Sequence, residues 1–363
     1  MFLAITTATL LLLICTLLPL WRNPHWLVRG MDFPRLQFGF SAVLLLGAQY
    51  FLVHAIEFRI GLIGVTLLCL AWQFWWILPY TRIWPAEVKT AADADDSRQL
   101  SILTANVLMP NRAAGKLIAL VREHQPDVLV TLESDQWWED QLSAVEKFMP
   151  HTIKCPLDNL YGMHVYSRLP IPEESIDFLV QDDVPSMHAS VTLRSGDSVR
   201  VHFLHPAPPS PSENQESAER DAELVIVARS IAGREPGPVV VAGDLNDVAW
   251  SATTRLFRKL SGLLDPRVGR GMFNTYHADY PFMRWPLDHL FHSKHFTVHS
   301  ISRLPHIGSD HFALLTRLTF SPARGADQEG LEAEADDQAM ADEIADEKNV
   351  DGADVPRPGA TIP

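Results

Sequence analysis

Polar and acidic residues punctuate positions 101–315, each at the end of an apolar, β-prone run. Asn106 lies in LTANVLMPN, Glu133 in VLVTLES, His205 in FLHPAPP, Asp244 and Asn246 in VVVAGDLND, Asp288 in WPLDHLF, and Asp310 with His311 in GSDHFALL. Such groups at strand ends are the materials of a site mounted on a rigid sheet and presented by its loops. In extended geometry Asp244 and Asn246 point to one face, because strand side chains alternate. A carboxylate and an amide on one face can hold a water and take its proton. Asn106 and Glu133 offer hard oxygen ligands at neighbouring strand ends, which suits Mg²⁺ with its retained waters and room for a phosphate. Asp310 and His311 are adjacent, so they can serve one site only from a loop, and Gly308 makes a loop plausible. Asp288 is the natural group to orient the His311 ring.

Each of these residues also has a plainer reading. Gly, Asp and Asn are turn formers, Asn106 can cap a turn, Ser-Asp-His can cap a strand, and a lone histidine such as His205 is commonly structural. His202, His289 and His292 fall under that reading. A zinc site from His202 and His205 has no cysteine partners to support it.

The elements that must position these groups follow from periodicity. Strands are expected over 100–107, 128–132, 164–166, 174–179, 187–193, 199–204 and 239–242. Helices are expected over 113–124, 135–148, 216–231 and 253–260, with closing strands at 290, 296–301 and 312–318. This mixed alternation predicts an α/β domain with at least one largely buried sheet.

Taken together and in order, Asn106, Glu133, Tyr161-Gly162 with Ser167-Arg168, His205, the Gly-Asp-Leu-Asn-Asp run, Asp288 and Ser309-Asp310-His311 resemble the endonuclease/exonuclease/phosphatase superfamily, in a membrane-anchored form of bacterial type. The resemblance covers residues 100–320. It implies a four-layer α/β sandwich, two packed mixed sheets flanked by helices, and divalent-metal-dependent hydrolysis of a phosphoester. Carried onto this chain, Asn106, Glu133 and Asp310 would lie at the metal, Mg²⁺ or Mn²⁺. Asp244 and Asn246 would hold and activate the water. His311, paired with Asp288, and His205 would grip the scissile phosphate. Leu108 stands where some nucleases of the family have an acid, which weakens the case for a repair-type nuclease. The four carboxylates Glu133, Asp244, Asp288 and Asp310 would repel one another without a cation, so a bound metal is implied by the cluster as well.

Outside this region, residues 2–20, 38–56 and 60–80 contain no Asp, Glu, Lys or Arg, and each approaches the ~20 residues that cross a bilayer as a helix. No charged leader precedes the first run and no small-residue cleavage site follows it, which argues against a signal peptide. The expected layout is therefore an anchor of three transmembrane helices (1–84), a polar linker (85–99), the catalytic domain (100–320) and a tail (321–363). Arg22, Arg29 and Arg35 in the first loop, with Arg82 and Lys89 after the third run, place the catalytic domain on the cytoplasmic side of an inner membrane.

The net charge is −14, of which the tail, with twelve acids against Arg324, Lys348 and Arg357, holds −9. Its composition predicts a segment without structure of its own. The catalytic region is not basic, so charge gives no support for broad nucleic-acid binding. Three cysteines give no intramolecular disulfide framework, and the absence of charge inside the apolar runs argues against a transporter. Nucleic acid and a phospholipid headgroup both remain open as the phosphoester substrate, the bilayer being the other partner. A catalytically silent binding module would require the loss of a motif residue, and none is lost.

Overall fold

Three apolar helices precede the domain in the computed structural model, which describes every residue except 93–94, 212–213, 234–236, 357 and 359–363. They are α1 (Phe2–Leu17), α3 (Arg35–Leu52) and α4 (Ile56–Ile77), with the short α2 (Trp26–Arg29) in the loop after α1. Two segments, Phe2–Leu20 and Ile56–Tyr80, are long and apolar enough to cross a membrane, with mean hydropathy 2.3 and 1.8. Three such helices were expected. The one that falls short, α3, has 18 residues and carries Arg35, Gln37 and Gln49.

The bundle is built inside out. Leu10, Leu11, Val43, Leu44 and Leu68 are exposed, whereas Thr9, Thr16, Gln49, Thr66 and Gln73 are buried. Gln49 Nε2 donates to Thr9 Oγ1 (2.8 Å) and Thr66 Oγ1 (2.7 Å), and Gln73 Nε2 donates to Thr16 Oγ1 (3.0 Å), so these bonds tie the three helices together.

The domain then runs β1 (Gln99–Asn106), α5 (Ala114–His124), β2 (Val128–Leu132), α6 (Gln136–Glu146), β3 (His151–Cys155), β4 (Met163–Ser167), β5 (Glu173–Asp177), β6 (Ser186–Thr192), β7 (Ser198–Leu204), α7 (Ala218–Ala232), β8 (Val239–Asp244), α8 (Ala252–Ser261), β9 (Asp288–His292), β10 (Phe296–Arg303) and β11 (Leu314–Phe320). One sheet has the order β10-β11-β1-β2-β4-β3, the other β5-β6-β7-β8-β9. Each is antiparallel except for one parallel pair, β1 with β2 and β7 with β8. Both sheets are therefore mixed.

Alternation along the strands creates the layers. Ile102, Val130 and Val165 from the first sheet meet Val201, Phe203 and Val240 from the second in the central core. Their neighbours face outward: Leu103, Leu129 and Tyr166 receive Leu117, Val121, Trp138 and Leu142 of α5 and α6. On the far side Val241 and Phe291 receive Leu224, Val227 and Phe257 of α7 and α8. Helix, sheet, sheet and helix make a four-layer sandwich, as expected.

Three differences from the sequence reading have physical causes. Strand β3 was not foreseen, because it lies at a sheet edge and only Ile153 of its five residues is buried. The polar segment 85–99 is not a bare tether. Val88 is buried, Val298 N donates to Lys89 O (3.0 Å), and Ala91 N donates to Val298 O (2.9 Å), which covers the β10 edge. The acidic tail was expected to lack structure, yet after the short α9 (Pro322–Gly325) it forms α10 (Ala335–Lys348). Ala341 and Ala345 bury against the α7–α8 layer, while Asp337 meets Lys259 (2.7 Å) and Lys348 meets Glu219 (2.7 Å). Composition averaged over the tail hid the small apolar face that this helix presents.

The apolar helices and the domain are joined by specific contacts at one end of the bundle. Trp26 N donates to Gln215 O (2.9 Å), Ser217 N to Pro24 O (2.9 Å), Trp250 Nε1 to Asp32 O (2.7 Å) and Tyr80 Oη to Ala249 O (2.6 Å).

Candidate active site

Strands β1 and β2 run parallel, with Asn106 paired to Leu132, so Asn106 and Glu133 emerge at the same end of the sheet. In the second sheet β7 and β8 are likewise parallel, and they deliver His205 and Asp244 at their ends. Asp288 opens β9 directly opposite Asp244 in antiparallel register. The loop before β11 brings Asp310 and His311.

Hydrogen bonds close the constellation across the two sheets. Asn106 Nδ2 donates to Glu133 Oε1 (2.7 Å) and to Asp244 Oδ2 (3.2 Å), while its Oδ1 accepts from Leu108 N (3.1 Å). His311 Nδ1 lies 2.8 Å from Asp288 Oδ2, and its Nε2 lies 3.4 Å from Asp244 Oδ2. Asp244 Oδ1 accepts from Asn246 N (3.0 Å), and Asn246 Nδ2 donates to Pro206 O (3.0 Å). Asp310 is half-buried, with Ser309 Oγ donating to its Oδ1 (3.3 Å), and it acts through space on Glu133. His205 is buried, its ring 5.5 Å from that of Tyr161, and its Nδ1 has no hydrogen-bond partner among the described residues. All eight residues singled out from the sequence thus sit around one locus.

The local backbone is arranged for this. Glu133 (φ 56°) and Asn246 (φ 51°) adopt left-handed conformations that cost non-glycine residues of order 1 kcal/mol or more, a form of strain that gathers at functional sites. Gly243 has φ 152°, and a Cβ there would lie 1.9 Å from Leu204 O, so only glycine lets β8 pass β7 where His205 and Asp244 leave their strands. Gly308, at φ 100°, makes the loop turn that allows adjacent Asp310 and His311 to serve one place.

Electrostatics divides the groups by role. Burial raises Glu133 to about 7, and Asp310 and Asp244 push the same way. Burial likewise raises Asp244, with Asp288 adding to the effect. His311 would be lowered by burial, but Asp244 and Asp288 outweigh it and hold the ring at about 10, so it is an imidazolium at neutral pH. His205 is pushed down to about 4 by burial and stays neutral.

Asp244, Asp288 and His311 offer ligand atoms within 4.8 Å of one another, and Asp288 Oδ1 is buried without a partner among the described residues. Both His311 nitrogens, however, already face carboxylates, so its single positive charge offsets one of their two negative charges. Glu133 and Asp310 have no cation within ion-pair distance among the described residues. An oxygen-rich, anionic donor set of this kind fits a hard divalent cation.

Sequence reasoning missed the clamp beneath the site. Arg220 of α7 is fully buried, donates from NH1 to Asn246 O (2.8 Å) and from NH2 to Asp221 (2.8 Å), and lies 3.4 Å from Asp247 Oδ2. It fixes the strained Asn246 backbone, and no periodic signal marked it. Tyr276, whose ring lies 4.9 Å from that of His311, was likewise not among the expected site residues. His289 is structural, held by Arg267 (2.7 Å) and Asp247 O (2.9 Å). Of the other residues quoted for the resemblance, Ser167 caps its own turn through Leu169 (2.8 Å and 3.0 Å), and the Arg168 side chain lies over Phe148.

Residues 103–311 match the profile of the Endonuclease/Exonuclease/phosphatase family. No curated protein matches the chain. Among solved structures, humanized D. rerio TDP2 superimposes with a TM-score of 0.50 at 18% identity, covering 61% of this chain and 100% of that one. The human Nocturnin catalytic domain, with a bound sulfate anion, gives 0.51 at 15% identity, covering 62% and 94%. At these identities the likeness is one of fold.

Proposed function

Since the chain belongs to the endonuclease/exonuclease/phosphatase family, we propose that it is a membrane-tethered, divalent-metal-dependent phosphoester hydrolase, most simply a phosphodiesterase. The observation that carries this reading is the hydrogen-bonded convergence of Asn106, Glu133, Asp244, Asp288 and His311 where the two sheets end side by side.

Asp244 is the base. Burial makes its carboxylate more basic, and with Asn246 beside it a water can be held and deprotonated as it attacks phosphorus. His311, kept cationic and oriented by Asp288, meets the growing charge on the phosphoryl oxygens. His205 remains neutral and offers a directed hydrogen bond rather than a charge. Glu133 and Asp310, with Asn106 once its amide is turned end for end, would hold Mg²⁺ or Mn²⁺. Bound there, the ion would neutralise phosphate oxygens that otherwise repel an anionic nucleophile.

The inside-out packing of α1, α3 and α4 supports a membrane anchor. Apolar side chains face outward and amide–hydroxyl pairs hold the interior, as expected where the surroundings are lipid. The Arg22, Arg29, Arg35 and Arg82 side of the bundle is also the side that holds the domain, which supports a cytoplasmic catalytic region.

The test is turnover of bis(4-nitrophenyl) phosphate by the full chain in detergent. Activity should require Mg²⁺ or Mn²⁺, vanish with chelator and vanish in Asp244→Ala. Full activity in chelator, or in that variant, would refute the mechanism.

A further inference from the structure

Residues 276–285 lie between His311 and the anchor. A chain of rings spans the gap: Phe33, in the loop before α3, meets Trp285 edge-on at 5.7 Å, Trp285 stacks on Tyr276 at 6.2 Å, and Tyr276 lies 4.9 Å from His311. Phe282 O accepts from Gln37 Nε2 (2.5 Å) in the first turn of α3. The tip of this segment is therefore held level with the point where α3 leaves the domain. It is also apolar and turned outward, with Tyr280 58%, Phe282 88% and Met283 53% exposed. Trp21 and Ile83 are exposed beyond the ends of α1 and α4 that face the domain. Aromatic and aliphatic groups gathered at such helix ends form the belt that sits at a membrane surface.

A second observation lies just behind the tip. Arg284 and Arg303 flank the Phe312 ring at 5.0 Å and 4.5 Å, one residue beyond His311. They donate to carbonyls only, those of His277, Ala278 and Asn274, and among the described residues neither has a carboxylate within ion-pair distance. Two uncompensated guanidinium groups beside a phosphate site suit a ligand with anionic oxygens.

Building on the hydrolase reading, we propose that the 280–283 tip enters the lipid headgroup layer beside α3, and that the substrate is a phosphoester of an anionic bilayer phospholipid, its headgroup held by Arg284 and Arg303. The apolar tip brings the mouth of the site to the membrane surface. A substrate resident in the same bilayer then reaches the catalytic groups by lateral diffusion.

The test compares the full chain with a Phe282→Asp/Met283→Ser variant, reconstituted in phosphatidylcholine vesicles containing phosphatidylglycerol. Release of water-soluble phosphoester from lipid should fall about tenfold or more, since the tip no longer leaves water favourably, while turnover of bis(4-nitrophenyl) phosphate is unchanged. Arg284→Ala/Arg303→Ala should raise KM for the lipid more than it lowers kcat. Lipid turnover indifferent to the tip, or single-stranded DNA hydrolysed faster than lipid, overturns the proposal while soluble-diester turnover keeps the hydrolase reading standing. Failure of the unaltered chain to turn over either lipid or soluble diester overturns both.

Discussion

Replacing Asp288 with asparagine separates catalysis from stability. Asp288 is wholly buried, and its Oδ2 takes the 2.8 Å bond from His311 Nδ1. A hydrogen bond between ionised groups contributes about 1.5–3 kcal/mol, against about 0.5–1.5 kcal/mol for neutral ones. Neutralising the carboxyl therefore removes about 1–2 kcal/mol of support for the imidazolium. An amide that presents its NH₂ to Nδ1 would also misorient the ring, which brings the expected loss to about 2–4 kcal/mol, or roughly 30- to 1000-fold in kcat. Stability should move the other way. Asp244 and Asp288 face each other across β8 and β9, and Asp288 raises the cost of ionising Asp244. Removing one of two buried like charges should leave the melting temperature unchanged or higher, the trade expected of a residue kept for function. The assay pairs steady-state turnover of bis(4-nitrophenyl) phosphate with thermal unfolding of the full chain in the same detergent. Activity within threefold of the unaltered protein, or a loss of activity matched by a loss of fold, would refute the reasoning.

Glu87→Leu should leave the buried Arg258, which donates to Glu87 Oε1 at 2.6 Å, without its carboxylate partner. The expected cost is about 3 kcal/mol, a fall in melting temperature of roughly 6–12 °C, largely recovered in the Glu87→Leu/Arg258→Met double variant; no recovery would show that the pair is not the cause. Glu223 is buried, raised to about 7 from 4.5 with only Ser186 Oγ (2.5 Å) as partner among the described residues. A raised folded pKa costs nothing below pH 4.5 and progressively more as pH climbs through 7, up to about 3 kcal/mol. The melting temperature of Glu223→Gln should therefore pull ahead of the unaltered protein between pH 5 and pH 8, and parallel pH curves would contradict this.

The catalytic layers were legible because their periodicity is strong. Residues 128–132 alternate between two cores and form a strand of those bounds, and the polar groups ending β1, β2, β7 and β8 stood out against apolar runs. What escaped depended on partners far away in sequence. Arg220 looks like any helical arginine until Asn246 O and Asp247 are placed beside it. The 85–99 segment reads as polar and small, yet Val88 and Glu87 find sites on the β10 edge and on Arg258. The tail was judged by composition, which says nothing of Ala341 and Ala345 falling on one helical face against α7. The sequence also grouped Asn106 with the metal by its oxygen, whereas its nitrogen bridges Glu133 and Asp244 in this structure. That orientation is the one a pair of carboxylates selects from an amide, whose NH₂ group can donate to both.

The most direct test of the central claim is anomalous diffraction from crystals of the full chain soaked in Mn²⁺ under conditions where the protein turns over a phosphodiester. The account predicts manganese bound at the Glu133 carboxylate, beside Asp310, with the His311 ring not among its ligands. Manganese bound elsewhere, or none near Glu133 in active protein, would contradict it.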